Sequence, residues 1–146
     1  MLHRFVLAFV VLSPLVSCKK TPAPALPPPT ASVPTGNPVV RTYLTVNLDS
    51  TVPPRDTTTR FGVSDTIHGI IQTQNAREGA SLLGRWYYMK NGEKIAENGT
   101  RLAVGTNLSH FDLINESKWM VGQYKLIVML DNVAKDSAQF SIVAKR

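Results

Sequence analysis

The chain of 146 residues is short of cysteine: it has one, Cys18. No intramolecular disulfide can form, although exported domains often carry such bonds. Any folded part must therefore rest on its core. A long apolar run is also missing. The longest, residues 5–16, is interrupted by Pro14 and falls short of the roughly 20 residues that a spanning helix needs. There is no Gly-x-Ser-x-Gly elbow for an acyl-transfer nucleophile, no glycine-rich phosphate loop and no loop of alternating acidic ligands for calcium. Beyond the first residues the only histidines are His68 and His110, far apart and without a patterned third ligand. Each reads as a solvent-facing strand residue, so neither a catalytic set nor a metal or other cofactor is expected. Basic runs are absent as well. The net charge is +6, but from residue 39 onward 13 Lys and Arg face 10 Asp and Glu. These charges are scattered, with no interleaved aromatic stripe, which excludes nucleic acid as the expected partner.

What is present begins at the N-terminus. His3 and Arg4 precede the apolar run, which closes on Leu15-Val16-Ser17-Cys18. A basic start, an apolar stretch and a small residue before a cut are the parts of an export signal. The last four residues resemble the lipobox of bacterial lipoproteins. That resemblance implies a signal peptide over residues 1–17, diacylglyceryl modification of the Cys18 thiol, cleavage just before it and acylation of the new amino group. The chain would then hang from a membrane by Cys18. Lys19, rather than Asp, follows it; by the same resemblance this points to the outer membrane if the host is diderm.

Residues 19–38 contain seven prolines among small and polar residues. Such a composition buries no core and favours extended polyproline II. With the lipidated cysteine, residues 18–38 read as a disordered tether that reaches roughly 60 Å at about 3.1 Å per residue.

From residue 39 to 146 apolar and polar residues alternate between turn signals, the pattern of short antiparallel strands. Val40, Thr42, Leu44, Val46 and Leu48 share one face of a first strand, which Pro53-Pro54 breaks. Phe61–Val63 reads as a short edge piece. Further strands are expected over Thr66–Thr73, Ser81–Lys90, Glu93–Glu97, Arg101–Val104, Ser109–Ile114, Gln123–Leu130 and Ser137–Val143. Asn91-Gly92 predicts a type I′ hairpin, and Asp131-Asn132 turns the last pair. No long apolar pattern has helical spacing. The expectation is an all-β sandwich.

Trp86-Tyr87-Tyr88-Met89-Lys90-Asn91-Gly92-Glu93-Lys94-Ile95 resembles the core-tryptophan strand and following hairpin of immunoglobulin-like domains. Gly122-Gln123-Tyr124 resembles the Gly-x-Tyr that forms their tyrosine corner, and Phe140-Ser141-Ile142-Val143 their closing strand. The two cysteines of antibody domains are absent, so the resemblance implies an immunoglobulin-like β-sandwich without a disulfide. Val128 or Leu126 would fill the space of one of them.

Candidate binding residues are aromatic and sulfur-containing. Trp119 either caps one end of the sandwich or offers an aromatic surface to a glycan or protein. Tyr87 and Met89 face opposite to Trp86 and Tyr88, on the outer side of a sheet. These features point to a membrane-anchored, non-catalytic module that contacts an envelope protein, as an accessory part of a larger assembly. A carbohydrate- or peptidoglycan-binding module using Trp119 is one alternative, and a protease inhibitor with a rigid exposed loop is another. Sandwiches of this kind bind through end loops or strand edges, so residues 49–60 and 117–121 are where contact is expected first; the partner itself is named by no residue pattern.

Overall fold

A computed structural model describes residues 38–48 and 51–144. Eight strands form from the alternating segments: β1 (Val39–Thr45), β2 (Arg60–Gly62), β3 (Ile67–Gln74), β4 (Ser81–Tyr88), β5 (Glu93–Arg101), β6 (Leu108–Leu113), β7 (Gly122–Leu130) and β8 (Val133–Val143). They make two sheets, one ordered β1-β3-β6 and the other β2-β8-β7-β4-β5. Every pairing is antiparallel except β2 with β8, which is parallel.

This order is that of an immunoglobulin-like sandwich. Two packed sheets are crossed by the β1–β2, β2–β3, β3–β4, β5–β6 and β6–β7 connections, and the strand after the core tryptophan pairs back onto the same sheet. The inner faces meet because period-two alternation places apolar side chains on one side of each strand. Leu82, Trp86 and Tyr88 of β4, with Tyr124, Leu126, Val128 and Leu130 of β7, are buried against Val40, Leu44, Ile67, Ile71, Phe111 and Leu113 of the smaller sheet.

The space left by the missing cysteines has a specific filling. Leu126 stands two residues after Tyr124, where the second cysteine of an antibody domain lies. Opposite it, Gly69 leaves little room for a side chain: a Cβ there would lie 3.1 Å from Leu126 Cδ2 and 3.3 Å from Trp86 Cη2. A large residue on one sheet and none on the other replaces the covalent bridge. Val128 is equally buried but is not the residue seated against Gly69.

Several expected boundaries move. The first strand stops at Thr45, not Leu48. The Thr45 hydroxyl accepts the Asn47 N–H at 3.1 Å and donates to the Asn47 carbonyl at 3.0 Å, a local side-chain bond that competes with the ladder. Val46 and Leu48 are consequently exposed. The expected Arg101–Val104 strand does not form. Arg101 ends β5, Leu102 leaves the sheet with its N–H on the Ala80 carbonyl, and Gly105 turns at φ 73°. Asn91-Gly92 is not a type I′ turn, since only Gly92 of the two has positive φ. That geometry occurs instead at Asp131-Asn132 (φ 49° and 64°), which joins the paired Leu130 and Val133.

Candidate functional site

The end of the sandwich opposite the entry of β1 is built from side chains. It holds the β4–β5 hairpin tip, the β2–β3 turn and the β6–β7 connection. Tyr124 stacks on Phe140 (centroids 5.4 Å apart, planes at 18°), and Phe140 meets Phe61 and Trp86 edge-on at 5.5 and 6.0 Å. The Tyr124 hydroxyl donates to the Met120 carbonyl at 2.8 Å, which is the tyrosine corner. A second tyrosine works beside it. Tyr88 lies 4.9 Å from Tyr124 and donates to the Val121 carbonyl at 3.3 Å. Burial first, and the neighbouring Tyr88 second, hold the Tyr124 hydroxyl above its ordinary pKa of 10.0.

Trp119 completes this end. Its backbone N–H bonds the Val63 carbonyl at 2.8 Å and its indole N–H the Asp65 carbonyl at 2.9 Å. The ring meets Tyr124 edge-on at 6.3 Å and is half-buried against the core. Asp65 is itself fixed, its carboxylate accepting the Gly62 N–H at 2.7 Å. Trp119 thus caps the sandwich, the first of the two roles its sequence position offered.

Tyr87 and Met89 lie elsewhere. Tyr87 is half-buried on the outer face of the larger sheet, opposite Lys125 and Lys94 in register. Met89 follows β4 at the hairpin tip, 44 % exposed, with its N–H on the Gln123 carbonyl. The fold does not bring Tyr87 and Trp119 to one surface, whereas Met89 lies beside the Trp119 segment. Cys18 falls outside the described residues.

Sequence reasoning pointed to the end loop of residues 117–121, whose Met120 and Val121 are 59 % and 56 % exposed, and passed over Ile114, which is 69 % exposed. It also misjudged His68. That ring is not simply solvent-facing: its Nδ1 lies 2.7 Å from the Asp112 carboxylate, with the histidine side chain only 13 % exposed. His110, two residues along β6 from Asp112, is exposed as expected.

A hollow of about 280 Å³ opens between the sheet edges, lined by Thr42, Tyr43, Leu44, Thr57, Thr58, Thr59 and Ala138. The Thr42 hydroxyl is buried beside it without a hydrogen-bond partner. Nearby, Asp136 clasps the two sheets. One carboxylate oxygen takes the Thr42 N–H of β1 at 2.7 Å and the other its own strand's Ser137 N–H at 2.8 Å. On the outer face, Glu97 is held below the usual carboxylate pKa by hydrogen bonds from Lys94 and then Arg85. Among the described residues no group of three His, Cys, Asp or Glu is placed to hold a metal ion, and no helix is long and apolar enough to cross a membrane.

No protein-family profile and no curated protein matches the sequence. Solved structures similar to the chain include a β-glucosidase from Listeria innocua in complex with glucose, at 12 % identity and TM-score 0.47 over 73 % of this chain and 16 % of that one. The alkylpurine DNA glycosylase AlkC of Pseudomonas fluorescens aligns at 12 % identity and TM-score 0.45, over 72 % of this chain and 30 % of its own. An immunoglobulin-like protein of Pseudomonas aeruginosa aligns at 13 % identity and TM-score 0.42, over 74 % of this chain and 93 % of its own. The chain therefore spans about a sixth of the first enzyme and less than a third of the second.

Proposed function

We propose that the protein is an envelope lipoprotein. Lipid on Cys18 moors it, residues 19–38 space it from the bilayer, and a non-catalytic immunoglobulin-like domain makes protein–protein contacts as an accessory part of an envelope assembly. The observation that carries the reading is the order of parts. A lipobox-like Leu15-Val16-Ser17-Cys18 is followed by a proline-rich stretch that ends where β1 begins, at Val39. The contact half of the reading is supported by the capped end of the sandwich, where backbone held by tyrosine and tryptophan hydrogen bonds leaves large apolar side chains in solvent. The outer membrane is the address if the host is diderm, because Lys19 rather than Asp follows the cysteine.

The test is processing and lipid labelling in the native host. Wild-type chain should incorporate labelled palmitate, and Cys18→Ala should leave an unlabelled, uncleaved precursor. Mass spectrometry that found a bare thiol at Cys18, or a mature start downstream of it, would overturn the anchor. Glycan contact through Trp119 is a weaker reading, since the indole N–H is already bonded to Asp65.

A further inference from the structure

The larger sheet turns one set of side chains to the core and the other outward, and the outward set is basic. Arg60 of β2, Lys125 of β7, Arg85 of β4, and Lys94 and Arg101 of β5 all take outward positions. They are scattered along the chain, but each follows from alternation against inward neighbours such as Phe61, Tyr124 and Trp86. Register then gathers them. Lys125 and Lys94 flank Tyr87 in one row, and Arg85 stands in the next, opposite Ile127. Glu97 is the one carboxylate at an outward position on these strands, and it is already shared: Arg85 Nε donates to it at 2.7 Å and Lys94 Nζ at 3.1 Å. Five cations against one anion leave the face at +4. At its margins Lys90 and Lys135 stand against Glu93, and Asp131 is spent on Arg77.

The rest of the domain does not share this excess. The outer face of the smaller sheet carries one cation, Arg41, and one anion, Asp112, besides His68 and His110. The described residues together hold eleven Lys and Arg and nine Asp and Glu; without the face, six cations meet eight anions. Positive charge is thus concentrated on one surface of a domain that is otherwise slightly acidic. Such an arrangement draws in a negative partner and orients it. Arg60 and Lys125 make no ion pair among the described residues, so their charge is open to that partner.

The middle of the face decides which kind of anion fits. Leu83, Tyr87, Ile127 and Met129 lie half-buried on the adjacent strands β4 and β7, with Leu83 opposite Met129. On the other side of Leu83 is Gly99, where a Cβ would come within 2.7 Å of Leu83 Cδ2, so the leucine lies over β5. An apolar centre ringed by arginine, lysine and tyrosine has the composition of a protein contact. A bare polyanion would leave that centre unused. A bilayer would take projecting apolar groups, of which this face has one, Met89 at its hairpin end. We infer that the outer face of the larger sheet docks an acidic protein surface with an apolar centre. The inference rests on the proposed contact role for there being a partner, and adds that partner's chemistry and the place it binds.

The experiment uses full-length chain in its native envelope, with a photoreactive phenylalanine replacing either Gln139, exposed beside Lys125 on this face, or Met120 at the capped end. Lipid labelling is read on the same sample, so a failed anchor shows as lost label and a failed contact as a lost adduct. The probe at Gln139 should join a protein whose crosslinked segment is rich in Asp and Glu. Arg60→Glu with Lys125→Glu should cut that adduct about tenfold, as two exposed ion pairs become repulsive, with the thermal midpoint unchanged. Arg41→Glu with Arg55→Glu, an equal change of charge off the face, should leave it intact. Lysines in place of the partner's crosslinked acids should restore binding to the reversed face. No adduct at Gln139 in lipid-labelled protein, an adduct only to lipid, glycan or a second copy of this chain, a crosslinked segment without acids, equal loss from both double variants, or no restoration would each overturn the inference. An adduct at Met120 without one at Gln139 would overturn it and leave the proposed contact role standing, whereas adducts at neither would remove both.

Discussion

The two ends of the sandwich solve the same problem by different means. Where β1 enters, the chain reverses through backbone conformation. Asn75, Gly79, Gly105, Asp131 and Asn132 all take positive φ there, and the Asp131 carboxylate ties the β7–β8 turn to the Ser81 N–H and to Arg77. At the far end the β4–β5 tip also turns on positive φ, at Gly92, but the β6–β7 connection is held by side chains. Tyr88, Tyr124 and Trp119 reach past their own strands and take carbonyls from neighbouring segments. A backbone turn is local and polar. An aromatic clamp needs a ring rooted in the core, so its geometry depends on the packing of both sheets. It also leaves the clamped segment free to present whatever side chains it carries. The contrast explains why the exposed methionines sit at the clamped end.

The largest test removes the floor of the clamp. Phe140 supports Phe61, Trp86 and Tyr124 and is 2 % exposed. Phe140→Ala should cost about 3–5 kcal/mol in denaturant unfolding and take the near-ultraviolet signal of the clustered rings with it. A cost under about 1 kcal/mol would mean that the clamp does not rest on the core.

Tyr124→Phe is milder. It keeps the ring and deletes one hydrogen bond, so about 0.5–1.5 kcal/mol is expected. It also carries a pH signature. The folded-state pKa of Tyr124 lies above its unfolded value of 10.0 because burial, then Tyr88, disfavours the phenolate. A raised pKa means that its stabilising contribution is complete below pH 10 and is lost as pH rises through the folded value. Thermal midpoints followed upward from pH 8 should fall less steeply above pH 10 in Tyr124→Phe than in wild type. Parallel curves would remove Tyr124 from the alkaline transition.

The smallest effect belongs to the backbone end. Asn132 holds φ 64° in the type I′ turn, a conformation that glycine enters without the Cβ penalty. Asn132→Gly should raise stability by a few tenths of a kcal/mol and leave the far end unchanged in its aromatic spectrum. A loss of stability would show that the asparagine side chain, not the backbone, holds the turn.

Much of this was legible in the sequence. The alternation in Tyr124–Leu130 and Ala138–Ile142 has one solution on a half-buried sheet, and those residues point inward as expected. The Trp86 and Gly122-Gln123-Tyr124 motifs brought the sandwich within reach. What failed was local competition. Nothing in the alternation through Leu48 reveals that the Thr45 hydroxyl stops the strand at Asn47. Asn91-Gly92 carried the stronger turn signal, yet the two-residue turn formed at Asp131-Asn132, where register left two residues between Leu130 and Val133. His68 looked solitary because its partner, Asp112, is 44 residues away.

The sequence alone determined that the domain is all-β, which faces of its strands are apolar, and that no disulfide holds it. These follow from periodicity and composition, which act over a few residues. Only the tertiary structure decided which strands share a sheet, that Leu126 fills the space facing Gly69, and that the segment from Trp119 to Val121 is pinned with two side chains turned outward. Those depend on contacts between residues distant along the chain, whose geometry exists only once both sheets have closed on a common core.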